Sequence, residues 1–184
     1  MTNLANVAVT DRRLVLARPV GLVIGASLFI AVCSRLSIPL PFTPVPLTLA
    51  NFAVLAVGLV LGGRRGFAAA TTFLAMGAVG LPVFSPAGPG GAAQLLGPTG
   101  GYLIAYPLVA YVAGLGAERD GFFRKLGSAT LAEILLFACG VSWLMVIAHV
   151  PFAKAAAFGL YPFVFFEGMK VMGAAGLATR FYLK

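Results

Sequence analysis

Six apolar stretches of near membrane-crossing length, separated by connections that are alternately basic and rich in proline or glycine, constrain this chain more than any other feature. They fall at 20–36, 47–61, 66–80, 100–117, 128–149 and 155–182. A helix needs roughly 20 mostly apolar residues to cross the hydrocarbon layer. Within 184 residues the six stretches leave room for short connections and for no soluble domain of ordinary size. Backbone groups in lipid must be paired within their own segment, which a helix achieves. The expected fold is an all-α integral membrane protein, one membrane domain over 1–184, built as a bundle of six transmembrane helices.

The charges agree with that reading. Only 10% of residues are charged and 60% are hydrophobic, against about 25% charged in soluble domains. A net charge of +8 would suggest nucleic acid in a soluble protein, but here the basic residues cluster in alternate connections. One side of the bundle receives Arg12, Arg13, Arg18, Arg64, Arg65, Arg119, Arg124, Lys125, Arg180 and Lys184, and the other only Arg35 and Lys154. The positive-inside rule then makes the chain multi-pass in a cytoplasmic membrane, with both termini cytoplasmic and no nucleic-acid partner. The first span is expected to be retained, because no clear small-residue cleavage site follows it. Cys33 and Cys139 lie in apolar segments without metal-ligand spacing.

Both unusual loops fall on the outer side. Ser37-Ile-Pro-Leu-Pro-Phe-Thr-Pro-Val-Pro46 carries four prolines in eight residues, which excludes regular helix and stiffens the connection. Leu81-Pro-Val-Phe-Ser-Pro-Ala-Gly-Pro-Gly-Gly91 leads through Gln94 into Gly97-Pro-Thr-Gly-Gly-Tyr102, with Pro98 and Thr99 suited to a first helical turn. Two stiff loops on one face predict a cap over a cavity. In the first span, Gly21 and Gly25, then Ser27 and Ala31, give small-xxx-small spacings that admit a close helix neighbour, within the chain or in a partner.

Ionisable residues inside apolar segments are costly and normally face a cavity or a partner. Glu167 and Lys170 are such a pair, and i,i+3 spacing sets them on one helical face. If 154–180 is one helix its ends lie about 39 Å apart and Glu167 sits near mid-membrane, unless Pro162 delays the start of that helix. The pair suits a ligand or transport site, a structural ion pair, or an acid and base of an intramembrane enzyme. Glu133 is read as a structural contact between helices and His149 as an interfacial residue. Arg35 lies beside the proline loop, where it attracts an incoming carboxylate or anchors at the headgroups. Tyr102, Phe84 and Trp143 are candidate apolar walls. The chain has no phosphate loop, no His-Glu-x-x-His and no nucleophile elbow, so no catalytic residues and no metal ligands are expected, and any pumping requires nucleotide hydrolysis by another subunit.

Ile38-Pro-Leu-Pro-Phe-Thr-Pro-Val-Pro-Leu-Thr-Leu49, Gly80-Leu-Pro-Val-Phe84, Gly97-Pro-Thr-Gly-Gly-Tyr-Leu103 and Glu167-x-x-Lys170 together resemble the BioY family, in order from the first helix to the last. Members of that family are biotin-binding S components of energy-coupling factor (ECF) transporters. The resemblance implies high-affinity biotin binding and uptake, no enzymatic activity, and no cofactor, biotin being the transported substrate. Its implied partners are a membrane scaffold subunit, two cytoplasmic ATPase subunits that use ATP, and the lipid bilayer of a bacterial or archaeal cell. It carries ligand recognition onto Glu167 and Lys170, with contributions from Ser85 and Thr99, and a scaffold contact onto Ser27 and Ala31. Two departures stand out. The family acid is commonly Asp, so Glu167 adds a methylene. Where similar sequences read Thr-Leu-Gln, this chain has Thr48-Leu-Ala50 followed by Asn51, a shift that turns a helical side chain by about 100°. Biotin fits the residue chemistry: Glu167 can accept from a ureido N–H, while Lys170 donates to the ureido carbonyl or holds Glu167 ionised.

Overall fold

The computed structural model describes residues 4–117 and 121–181, with side chains from Pro19 onward. The topological expectations for Arg12, Arg13, Arg18, Arg119 and Lys184, and the last residue of the final span, Tyr182, lie outside these described side chains. The elements in order are α1 (Leu4–Arg35), β1 (Ser37–Ile38), β2 (Leu47–Thr48), α2 (Ala50–Leu61), α3 (Gly63–Ala78), α4 (Gly91–Leu95), α5 (Gly100–Gly114), α6 (Phe122–Ala148), α7 (Phe152–Gly159) and α8 (Val164–Arg180). The fold is helical, as expected, with eight helices among the described residues rather than six. Of these α6 is long and apolar enough to cross a membrane, while Pro19–Arg35, α2 and α5 are shorter apolar helices.

The bundle is centred on α5, which packs against α2, α3 and α6, while α8 closes it against α2 and α6. Small residues make this packing close. A Cβ on Gly66 would lie 2.9 Å from the Gly58 Cα, and one on Gly58 would run into the Ala110 carbonyl, so α2, α3 and α5 meet almost backbone to backbone. Ala53, Ala69, Ala70, Ala113 and Ala132 are fully buried around this crossing, with Phe73 the largest fully enclosed side chain.

Three departures from the expected spans have local causes. Leu47 and Thr48 do not begin α2; they pair antiparallel with β1 in the register Ser37↔Thr48 and Ile38↔Leu47. The proline loop is thereby closed at its base, and the Thr48 hydroxyl accepts the Ala50 N–H at 3.3 Å as α2 starts. Next, α6 begins at Phe122 rather than at residue 128. Lys125, expected in an exposed basic connection, is buried in its first turns and donates to the Ala178 carbonyl at 2.8 Å, fastening the start of α6 to the end of α8.

The third departure shapes the site. The expected single helix over 155–182 is broken into α7 and α8. Pro162 has no N–H to give the carbonyl four residues back, and its ring collides with it. The Leu160 amide keeps its regular bond to the Ala156 carbonyl at 2.9 Å, and the Tyr161 amide joins it there at 3.0 Å instead of bonding Ala157. The carbonyls of Phe158 and Gly159 are left to other donors. The Thr43 hydroxyl of the proline loop takes the first at 2.6 Å and the Tyr102 hydroxyl of α5 takes the second at 2.7 Å.

Candidate functional site

The break at Pro162 puts Glu167 in the first turn of α8 rather than in the middle of a long helix. One turn on, the Lys170 ammonium lies 2.7 Å from Glu167 Oε1. Because α8 packs on α2, Lys170 Nζ also reaches the Thr48 carbonyl and, at 3.2 Å, Asn51 Oδ1. Its three hydrogens thus have three acceptors. The Asn51 amide is the centre of the cluster. Its Nδ2 donates to Glu167 Oε2 and to Glu133, with 3.2 Å to Oε1, while its Oδ1 also accepts the Phe52 N–H at 3.0 Å. Asn51, Glu133 and Glu167 are all buried, a burial that charged groups tolerate only when paired and hydrogen-bonded.

Above this cluster lies a narrow cleft with a cavity volume of about 60 Å³. Glu167, Asn51 and Thr48 form one end. Tyr102, Leu103 and Tyr106 of α5 and Leu136 and Phe137 of α6 form the walls, and Val45, Pro46, Gly159 and Phe163 come from the proline loop and the α7–α8 break. Ser34, Ser85, Gln94 and Thr99 supply further polar groups. Ser85 donates to the Ser37 hydroxyl at 2.9 Å, and buried Gln94 accepts the Gly90 N–H at 3.1 Å and donates to the Ser85 carbonyl at 3.4 Å. The two proline-containing loops are therefore joined directly. An apolar chamber with hydrogen-bonding groups at separate points suits a small amphipathic molecule.

A family model described as the BioY family matches residues 3–183. The chain belongs to the BioY family. A probable biotin transporter BioY of Pyrococcus horikoshii is 37% identical over 155 residues, covering 84% of this chain and 91% of that one. The biotin transporter BioY of Thermotoga maritima is 42% identical over 144 residues, covering 78% of this chain and 84% of that one. Among solved structures, the crystal structure of the S-component for biotin from an ECF-type ABC transporter superposes with a TM-score of 0.80 at 27% identity, covering 98% of this chain and 93% of its own.

In this BioY-family chain the structure sorts the expected residues into three groups. Glu167, Asn51, Ser85, Thr99 and Tyr102 all line the cleft, and Lys170 stands behind Glu167. Phe84, Trp143 and Arg35 do not line it. Phe84 is turned into the core, edge-on to Phe73 at 5.3 Å between ring centres and against Gly77. Trp143 packs on Gly101 and donates to the Gly97 carbonyl at 2.9 Å, so it supports the loop from outside. Arg35 is exposed, and its contact is the Phe84 carbonyl at 3.4 Å.

Ser27 and Ala31, expected at a partner contact, pack within the chain. Both are buried, and Ser27 donates to the Ala69 carbonyl of α3 at 2.8 Å, so this face is already occupied within the chain. Gly21 and Gly25 lie on the open side of α1, with nothing within 4 Å of an added Cβ. Several lining residues escaped the sequence reading: Ser34, Thr48, Gln94, Tyr106, Leu136, Phe137 and Phe163. Tyr106 was within reach, since it follows Tyr102 by four residues on the same helical face. Gln94, an amide in an otherwise apolar Pro/Gly loop, was a second available signal. Glu133, read as a contact between helices, is one, but its partner Asn51 belongs to the site.

Proposed function

We propose that this chain binds biotin in the cleft beneath the proline loop and serves as the substrate-binding component of an ECF-type ABC transporter. The observation that carries the reading is the polar end of the cleft, where Glu167, Asn51 and Lys170 converge beside aromatic walls. The remaining lone pairs of Glu167 accept ureido N–H groups, and Lys170 exchanges the Thr48 carbonyl for the ureido oxygen. The bicycle lies against Tyr102, Tyr106 and Phe137. At the other end the hydroxyls of Ser85 and Thr99 and the amide of Gln94 receive the carboxylate. Since the cavity is only about 60 Å³, binding widens the cleft.

In this reading α1, α2, α3, α5, α6 and the α7–α8 pair make six passes through the cytoplasmic membrane, both termini are cytoplasmic, and the chain binds and carries without catalysing. A membrane scaffold subunit and two cytoplasmic ATPases supply the energy. The scaffold meets the groove at Gly21, Gly25, Ala56 and Val57, where α1 and α2 leave room for a helix. Equilibrium binding of labelled biotin to the purified chain tests the reading. Saturable binding by the wild type that is lost in Glu167→Ala is expected; no binding by the wild type overturns it.

A further inference from the structure

Glu133 is buried on α6 and does not line the cleft itself; it borders an adjoining lateral groove between α6, α7 and α8 that shares Phe137 and Glu167 with the cleft. Whatever it does for a ligand in the cleft, it does through its neighbours. Its carboxylate accepts from the Asn51 amide, whose Nδ2 lies 3.2 and 3.5 Å from Oε1 and Oε2. That bond spans 82 residues and joins α6 to α2 at the level of the site.

Two consequences follow from where it sits. An amide can present either its oxygen or its nitrogen to a given neighbour. Here Oδ1 faces the Lys170 ammonium and the Phe52 N–H, while Nδ2 faces Glu167 and Glu133. Rotating the amide by half a turn would set N–H against N–H and oxygen against two carboxylates. Glu133 is one of the groups that hold it in the productive sense. In addition, Leu136 and Phe137, three and four residues further along α6, form an apolar wall of the cleft. They lie on the same helical face as Glu133, so the Asn51 bond also sets how closely that wall stands to α2.

We propose that Glu133 is a positioning residue for the ligand cleft, acting through Asn51 to hold the amide's orientation and the α6 wall. The assignment rests on the reading of the cleft as a biotin site. The experiment is a binding cycle with labelled biotin on wild type, Glu133→Leu, Glu133→Gln, Asn51→Ala and the Asn51→Ala/Glu133→Leu double variant, each with its thermal unfolding midpoint in detergent. Loss of the buried Asn51–Glu133 hydrogen bond predicts affinity about tenfold weaker in Glu133→Leu. Glu133→Gln keeps an acceptor oxygen for Asn51 and is expected to recover affinity to within about threefold of wild type. In the Asn51→Ala background, Glu133→Leu should add less than about twofold, because the path to the ligand is already cut. If Glu133→Leu does not fold, Glu133→Ala takes its place in the cycle. Wild-type affinity in the truncated variant, equal loss in Glu133→Gln, or full additivity with Asn51→Ala each overturn the assignment while leaving biotin binding intact. A wild type that fails to bind biotin overturns the functional reading and this assignment with it.

Discussion

The Lys170 ammonium meets the Glu167 carboxylate at 2.7 Å across one turn of α8, with only 10% and 8% of the two side chains exposed. Breaking such a pair from one side strands a buried charge, at a cost of about 3–5 kcal/mol, whereas replacing both partners with apolar or neutral groups is far cheaper. Lys170→Met is therefore expected to lower the thermal unfolding midpoint more than Lys170→Met combined with Glu167→Gln. All of these variants should lose biotin binding. A double variant less stable than the single would show that the pair is not the source of the effect.

Asn51 carries a different kind of requirement, because its amide donates to two acids and accepts from a lysine at once. Asn51→Asp exchanges the donor for a third carboxyl group among buried acids and deprives both of the Asn51 N–H. Asn51→Leu merely removes those hydrogen bonds. Both should weaken biotin by about 100-fold or more, with Asn51→Asp the less stable. Titration with labelled biotin and thermal unfolding of both variants check the order.

Tyr102 both lines the cleft and donates to the Gly159 carbonyl at 2.7 Å. Tyr102→Phe keeps the ring and leaves that buried carbonyl without its donor, which costs about 1–3 kcal/mol of stability. The stacking wall survives, so biotin affinity should fall by less than in Tyr102→Ala. Equal losses in the two variants would mean that the hydroxyl alone matters to the ligand.

For α1, the buried face at Ser27 and Ala31 predicts an effect on the chain itself. Leu at both positions overfills the contact with α3, at about 1–3 kcal/mol per site, and lowers the unfolding midpoint of the isolated chain. Gly21→Leu together with Gly25→Leu meets open space and should spare stability while weakening co-purification with a scaffold subunit. Unchanged stability in the Ser27 and Ala31 variant would contradict the packing described.

How much of this was legible beforehand depends on the range of each interaction. The Glu167 and Lys170 pair is local, one helical turn apart, so spacing alone set both on one face. The basic and proline-rich connections likewise predicted a helical chain with two stiff loops. Asn51 could be suspected only from its offset against similar sequences, because the reason it matters lies 82 and 116 residues away on α6 and α8. Trp143, Phe84 and Arg35 were plausible by residue type, yet each is turned toward a loop carbonyl or the core by packing angles that no periodicity encodes. The α7–α8 break was half visible: Pro162 marked the place, and the donors that make the break tolerable, Thr43 and Tyr102, are far off in the chain.

Thr43 offers a kinetic test. Its hydroxyl ties the tip of the proline loop to the Phe158 carbonyl at 2.6 Å. Thr43→Val keeps the shape and removes the tie, worth about 1 kcal/mol. Biotin should then dissociate about fivefold faster, with association little changed, in a stopped-flow chase. An unaltered dissociation rate would separate the loop from ligand retention.

The carbonyls of Phe158 and Gly159 also tie late sequence to early sequence. Their donors, Thr43 and Tyr102, stand 115 and 57 residues back in the chain. Glu167 and Lys170 likewise meet Asn51 from 116 and 119 residues away. The chamber therefore has no half that is complete by itself: a chain ending before Pro162 keeps Asn51 and Tyr102 but lacks Phe163, Glu167 and Lys170.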